Sequence, residues 1–414
     1  MSKANVKELV CSRCGEAYAP DAVTYTCLAD GGNLTIELDS AYVQANTAAE
    51  DIFTSEDRSM WRYLPLLPVD APEVKGTPLD HVGWTPVYRS ERLAAHIGLN
   101  QLWLKDESSN PTASFKDRAS ALLVVRGNEI GAQVIVTASS GNAGAALAGM
   151  AAAVGQKAII LVPKSAPPPK VAQLRVYGAQ VFLVDGTYDD AFDLTIKASE
   201  AFGWYCRNTG YNPYTAEGKK TAAYEIWEQV IISQLPDRPL NVFVSVGDGN
   251  IMAGLRKGFK DLFALGWLVR MPRIFGVQAE GAASLVRAFE AGTEDFAMVA
   301  ANTIADSISV GLPRDGLRAL HAATETGGAF LAVPDEAILA AIRTLGSVGL
   351  FAEPSAAAAF AGVQAARQQG LINADDPALA LLTGSGLKDT AAAIHAAGEA
   401  PLIAPTLDAL QAAL

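Results

Sequence analysis

Asn110-Pro111-Thr112-Ala113-Ser114-Phe115-Lys116-Asp117-Arg118 is the stretch on which the fold turns. Asn-Pro marks a turn, and helix-forming residues run on from Lys116. A lysine at a helix start sits beside the positive end of the helix dipole, which disfavours an ammonium. That placement lowers the amine pKa and favours its attack on an aldehyde. A lone lysine is far more often a solvated surface group, so the stretch gains meaning only together with the motifs further along the chain. Asp117 and Arg118 are expected to set the lysine loop through local hydrogen bonds.

Three further stretches stand where a strand pattern meets a helix pattern or a loop. Residues 133–137 read as a short apolar strand and 142–154 as a helix, joined by Ala138-Ser139-Ser140-Gly141-Asn142. Backbone N–H groups at a helix start, with two hydroxyls, make a receptor for a carboxylate. Asn142 is placed to donate to an oxygen on a bound ring. The plain alternative is an N-cap, where serine and asparagine are favoured.

Residues 241–246 read as a strand and 251–263 as a helix, joined through Val246-Gly247-Asp248-Gly249-Asn250-Ile251. Glycine lets backbone amides approach a phosphate, and the helix dipole favours the anion. The loop is not a dinucleotide fingerprint and is too short for a Walker loop, so a phosphate monoester suits it better than a nucleotide. A carboxylate at Asp248 pointing inward would repel that phosphate, so it is expected to face solvent. The last stretch is Leu382-Thr383-Gly384-Ser385-Gly386-Leu387-Lys388-Asp389, after a strand over 378–382. A hydroxyl there can meet a ring nitrogen without charging it, and the glycines let a ring lie close.

Strands are also read at 157–162, 180–184 and 273–278. Repeated β-α-β units predict an α/β fold of parallel sheets covered by helices. Residues 143–162 are long and apolar, but Gln156 and Lys157 interrupt them. A packed helix followed by a buried strand is the reading, not a membrane span.

With 414 residues, half of them hydrophobic and 18% charged, the chain has room for two domains and a small appendage. A net charge of −12 repels nucleic acid and anionic lipid, so neither is an expected partner. An anionic substrate then needs its positive groups gathered locally. The four cysteines are too few for a disulfide framework, and residues 1–10 lack the apolar core of a signal peptide. A cytoplasmic protein is expected. His81, His96, His321 and His395 lie outside every stretch above and receive no role.

Residues 8–39 look like a separate ribbon-like module. Cys11-x-x-Cys14-Gly15 ends one turn, and Cys27-Leu28-Ala29-Asp30-Gly31-Gly32 ends another. Two such knuckles can bring four ligands to one metal. Two readings stand: a structural zinc on Cys11, Cys14, Cys27 and Asp30, or a ribbon that has lost its metal and is held by packing. The expected division is a ribbon-like module over 1–40 and a connection with the start of a large domain over 41–108. A small α/β domain over 109–220 and a large cofactor-binding α/β domain over 221–414 complete it.

The order of these stretches resembles the fold-type II pyridoxal-phosphate (PLP) enzymes, the tryptophan synthase β superfamily. Within it the chain is most similar to the threonine synthase family. The Cys-x-x-Cys ribbon followed by Met60-Trp61-Arg62-Tyr63, the block from Asn110 to Arg118, and the ending Leu382 to Asp389 carry the resemblance. Gly276-Val277-Gln278-Ala279-Glu280-Gly281 and Glu353-Pro354-Ser355-Ala356 add to it, and it covers nearly the whole chain.

The resemblance implies two parallel-sheet, three-layer domains with PLP between them, a ribbon-like N-terminal module, and a homodimer. It implies that Lys116 carries PLP as a Schiff base and later shuttles protons, and that Asn142 faces the ring oxygen. Ser139, Ser140 and Gly141 would hold the substrate carboxylate, Gly247, Asp248, Gly249, Asn250 and Ile251 the cofactor phosphate, and Thr383 would face the pyridine nitrogen. A hydroxyl leaves that nitrogen neutral, which favours elimination and replacement at Cβ or Cγ. The implied activity is a carbon–oxygen lyase that turns O-phosphohomoserine and water into threonine and phosphate by γ-elimination and β-addition. The family's basic residue after an Asn-Pro clamps the substrate phosphate, but Asn212-Pro213 is followed by Tyr214-Thr215-Ala216-Glu217. Residues 307–313 also lack the family's arginine. Lys219 and Lys220 are the substitutes nearest in sequence. The alternative is a related β-elimination or β-replacement enzyme, such as a serine or threonine ammonia-lyase or a cysteate-synthase-like enzyme.

Overall fold

Alternation of apolar and polar residues brings Val6–Cys11 (β1), Ala17–Tyr18 (β2) and Leu34–Leu38 (β3) into an antiparallel sheet of order β2-β1-β3. In β3, Leu34, Ile36 and Leu38 are buried while Thr35 and Glu37 are half-exposed, the period of a strand with one covered face. The structure is a computed structural model that describes residues 3–235 and 238–414.

The connection after β3 folds into short helical turns, among them Met60–Leu66, whose Met60, Trp61, Arg62 and Tyr63 are all buried. Next come β4 (Val87–Arg89), β5 (Leu102–Asp106), β6 (Ile135–Ala138), β7 (Ala158–Pro163), β8 (Gln180–Val184) and β9 (Tyr205–Cys206). The last strands are β10 (Asn241–Ser245), β11 (Arg273–Ala279), β12 (Phe330–Val333) and β13 (Ala378–Leu382). Strands β6 to β9 form a wholly parallel sheet of order β8-β7-β6-β9. The others form a six-stranded sheet of order β12-β11-β10-β13-β5-β4, parallel except for the edge strand β4.

The six-stranded sheet is covered on both faces. Val242, Val244, Leu379 and Leu381 belong to one apolar core, and Phe243, Ala378, Ala380 and Leu382 to another. Alternate residues of β10 and β13 therefore point to opposite cores, which is why both strands read as unbroken apolar runs. The expected α/β fold is the one observed. The strands expected at 180–184 and 378–382 form at those limits, and the others begin or end within two residues of expectation. The apolar run over 143–162 is the helix Asn142–Ala153 followed by β7. Among the described residues no helix is long and apolar enough to cross a membrane.

Three helices fix the ground under Lys116. Lys116–Glu129 packs on Tyr214–Ile226, which packs on Asn250–Ala264. The middle helix is buried from Thr215 to its end. Gly218 permits its close approach: a Cβ there would lie 2.2 Å from the carbonyl oxygen of Arg118. The division expected between 220 and 221 falls inside this helix.

Buried charges tie the helices to β5. Arg118 donates from Nε to Glu107 Oε2 at 2.8 Å and from Nη1 to Glu225 Oε1 at 2.6 Å. Lys105 Nζ lies 2.8 Å from Glu225 Oε2, and all four side chains are fully buried. Arg118 thus reaches across the fold rather than bonding locally as expected. Asp117 does act locally, accepting from the Thr112 N–H at 2.6 Å and from the Thr112 hydroxyl.

In each parallel sheet the strand order reverses at one place, between β6 and β9 and between β10 and β13. Ligands bind in the crevice outside the carboxyl ends of strands at such a reversal.

Candidate active site

Both reversals open into one cavity of about 460 Å³. Residues 137–143 and Arg207 border it from the ends of β6 and β9. Ser245, the loop 247–251 and Thr383 border it from the ends of β10 and β13, and Lys116 lies at the junction.

Lys116 is the first residue of its helix. The loop before it is strained: Ala113 adopts a φ of +62°, the left-handed region that side chains with a Cβ avoid. Two long-range hydrogen bonds hold that turn. Phe115 N donates to Thr383 O at 2.9 Å, and Ser385 N donates to Ala113 O at 3.1 Å. The lysine stretch and the Thr-Gly-Ser-Gly stretch are therefore laced together. Burial pushes the Asp117 carboxyl up to about 6, against the bonds from Thr112.

Lys116 Nζ makes no hydrogen bond or ion pair among the described residues, although the side chain borders the cavity. Burial and then the Arg207 guanidinium push its pKa down, while Glu353 and Asp248 oppose. An amine with a lowered pKa and no partner is suited to attack a carbonyl and to carry protons in turn.

Ser139, Ser140 and Gly141 line the cavity at the start of Asn142–Ala153. Asn142 Nδ2 donates to both oxygens of Glu353, at 2.9 and 3.0 Å. Glu353 precedes the helix Pro354–Gln368 and also accepts from Ser355 Oγ at 2.6 Å. Burial raises its pKa. Asn142 is thus oriented from the side of the six-stranded sheet, across the cavity from its own.

The loop 247–251 caps Asn250–Ala264. Gly249 is the N-cap with a φ of +91°, and a Cβ there would lie 2.7 Å from the Asp315 carbonyl oxygen. Lys219 Nζ bonds Asn250 Oδ1, and Asn250 Nδ2 donates to Asp315 Oδ2 at 2.6 Å. Asp248 corrects the expectation that it faces solvent. It borders the cavity, and its Oδ1 accepts from Arg314 N at 3.3 Å. The turn that lets Gly249 cap the helix also brings Asp248 against the 314–315 backbone, with Asp315 N donating to Asp248 O at 2.8 Å. Thr383 is 5% exposed and makes no side-chain hydrogen bond among the described residues.

Lys219 and Lys220 part company. Lys219 borders the cavity, whereas Lys220 pairs with Glu217 at 2.5 Å and Asp261 at 3.1 Å, away from the cavity lining. Adjacent residues on a helix point about 100° apart, and the close packing of Asn250–Ala264 takes the second lysine. The structure therefore removes Lys220 from the candidate substrate residues.

Cys11, Cys14, Cys27 and Asp30 come together in the ribbon, each offering a ligand atom, with all these atoms within 4.8 Å of one another. None of the four histidines borders the cavity, and His321 bonds Glu294 at 2.8 Å. Cys206 is a buried small side chain, its thiol pushed up to about 12 by burial. Sequence reasoning missed Arg207 and Arg314, which border the cavity, and the bond from Asn142 to Glu353. Arg207 comes directly after a strand of two residues, too short for any periodicity to reveal.

The pattern of the family described as "Pyridoxal-phosphate dependent enzyme" matches residues 78–384. The threonine synthase of Methanocaldococcus jannaschii is 38% identical over 392 residues, 94% of this chain and 95% of that one. This chain belongs to the pyridoxal-phosphate-dependent enzymes, in the threonine synthase family. The threonine synthase of Methanosarcina acetivorans is 34% identical over 98% of both chains. The processed form of threonine deaminase isoform 2 from Solanum lycopersicum has a TM-score of 0.65 at 24% identity, covering 81% of this chain and 92% of that one, a likeness of fold.

For a pyridoxal-phosphate-dependent enzyme the cavity residues fit the cofactor. Lys116 offers an amine with no partner among the described residues, and the loop 247–251 offers a helix start with the Lys219 amino group beside it. Thr383 offers a free hydroxyl at a strand end. The Asp248 side chain is turned to the Arg314 amide; burial raises its pKa, with that amide, Lys116 and Lys219 opposing.

Proposed function

We propose that this protein is a threonine synthase, converting O-phosphohomoserine and water to threonine and phosphate. The observation that carries the reading is Lys116, an unpaired amine of lowered pKa, in the same cavity as the 247–251 loop and Thr383. The likeness to threonine synthases over nearly the whole chain supports the substrate.

Each residue then has a task. Lys116 would hold the cofactor aldehyde, and its amine would move a proton at the substrate Cα. The 247–251 loop and Lys219 would hold the cofactor phosphate, and Thr383 would face the pyridine nitrogen. Ser139, Ser140 and Gly141 would hold the substrate carboxylate, and Asn142, oriented by Glu353, would face the ring oxygen. The cofactor, when bound, supplies the electron sink that makes loss of phosphate from Cγ and addition of water at Cβ accessible. We further propose that residues 109–220 act as the smaller domain around the substrate, with the true boundary displaced from the helix Tyr214–Ile226. The family likeness supports a homodimer working in the cytoplasm.

Substrate profiling tests the activity. O-phosphohomoserine should be turned over with a kcat/KM at least about 100-fold above serine or threonine. Release of keto acid and ammonia from serine or threonine, with O-phosphohomoserine inert, would make the enzyme an ammonia-lyase.

The ribbon supports a second proposal, one structural zinc on Cys11, Cys14, Cys27 and Asp30. The gathering of four ligand atoms within 4.8 Å supports it, as does the usual four-coordination of such sites. Elemental analysis should find one zinc per chain, absent from Cys14→Ser, with a lower thermal midpoint in that variant. A metal-free protein whose midpoint ignores the substitution would leave the ribbon to packing alone.

A further inference from the structure

Arg207 stands at the reversal of the four-stranded sheet, directly after β9, and is fully buried while bordering the cavity. Its Nη1 donates to Thr209 Oγ1 at 2.8 Å and its Nε to Ser120 Oγ at 3.3 Å. Its Nη2 has no hydrogen-bond partner among the described residues. Both partners are hydroxyls, so the guanidinium has no hydrogen-bonded carboxylate. Burial pushes its pKa down to about 10, with Tyr188, Cys206 and Asp248 opposing. Keeping a buried cation without a bonded counter-ion is costly, and a ligand that brings the anion removes the cost.

Two other basic groups of the cavity are already engaged. The 247–251 loop and Lys219 lie at the start of Asn250–Ala264, where the cofactor phosphate fits. Arg314 is paired with Asp189. Arg207 borders the same cavity from the four-stranded sheet, beside β6 and the Ser139-Ser140-Gly141 loop that suits the carboxylate. A second anion on the substrate, a few bonds from its carboxylate, is what remains for a free guanidinium edge to meet.

We propose that Arg207, with Thr209 beside it, binds the phosphate monoester of the substrate and takes the place of the arginines absent from 214–216 and 307–313. The proposal rests on the threonine synthase reading. A guanidinium fork matches phosphate geometry and stays charged, which suits a dianion that departs as phosphate.

The test uses cofactor-loaded protein, wild type, Arg207→Gln and Arg207→Lys, with calorimetric binding of inorganic phosphate and of L-threonine measured separately. Arg207→Gln should keep its cofactor content and bind threonine within about 2-fold of wild type. Its affinity for inorganic phosphate, and its KM for O-phosphohomoserine, should weaken by about 100-fold. Arg207→Lys should fall between, because a point charge lacks the fork. Should the glutamine variant not fold, the lysine variant carries the same comparison. Unchanged phosphate affinity overturns the proposal. So does an equal loss of threonine and phosphate binding, or loss of the cofactor. If wild type does not convert O-phosphohomoserine yet loses phosphate affinity on Arg207→Gln, the site stands and the synthase reading fails.

Discussion

Lys116→Ala is expected to lower turnover by at least about 10³-fold while leaving the fold intact. The first effect comes from chemistry. The amine that both holds the cofactor and moves the substrate proton is gone, and Lys220 is bound to Glu217 and Asp261. The second comes from geometry: Lys116 Nζ gives up no hydrogen bond or ion pair among the described residues. The variant should therefore melt within a few degrees of wild type. Borohydride reduction and then peptide mapping should attach the cofactor to Lys116 in wild type and to no residue in the variant. A label on Lys219 in the wild type would give the aldehyde to that lysine instead.

Arg118→Ala should have the largest effect on stability. Arg118 bonds Glu107 and Glu225 with every group buried, and Lys105 also leans on Glu225. Removing the guanidinium leaves two carboxylates in the core with too little positive charge, a loss of about 3–5 kcal/mol. By contrast Arg126→Ala, which breaks the more exposed pair with Glu129, should cost about 1 kcal/mol or less. Urea midpoints measure both.

The pH dependence has a definite sign. Burial alone would raise the Glu225 pKa, but Arg118 and Lys105 more than offset it and hold it at about 2. The stabilisation is therefore fully present above the ordinary carboxylate value and lost as pH falls toward 2. The gap between wild type and Arg118→Ala should narrow over that window. A gap that is constant with pH would show that the pair is not what the substitution removed. The lysine loop is tied to this network through Asn110, whose Nδ2 donates to Glu107 Oε2 at 2.8 Å, so activity should fall with it.

What the sequence revealed and what it hid have physical causes. The strand-end loops were legible because glycine, serine and asparagine at a strand-to-helix turn are constrained locally. Ser139 to Asn142, residues 247–251 and Thr383 all reach the cavity from such turns. The directions of single side chains were not legible. Asp248 turns inward because its backbone meets Asp315 across the chain, and Lys219 rather than Lys220 meets the cavity because a neighbouring helix claims the other. Arg207 depends on β9 pairing with β6, a contact between segments far apart in sequence. Glu353 could be marked only as part of a resemblance. Its bond to Asn142 joins a loop of one sheet to a helix packed on the other, and no local pattern encodes that.

The most direct test is one reaction in water enriched in oxygen-18, with cofactor-loaded protein and O-phosphohomoserine, monitoring phosphate and amino-acid product together. Phosphate and threonine should appear in equal amounts, with the label in the threonine hydroxyl and none in the phosphate. That pattern requires cleavage of the carbon–oxygen bond at Cγ and addition of water at Cβ. Homoserine with labelled phosphate, or a keto acid with ammonia, would contradict the account.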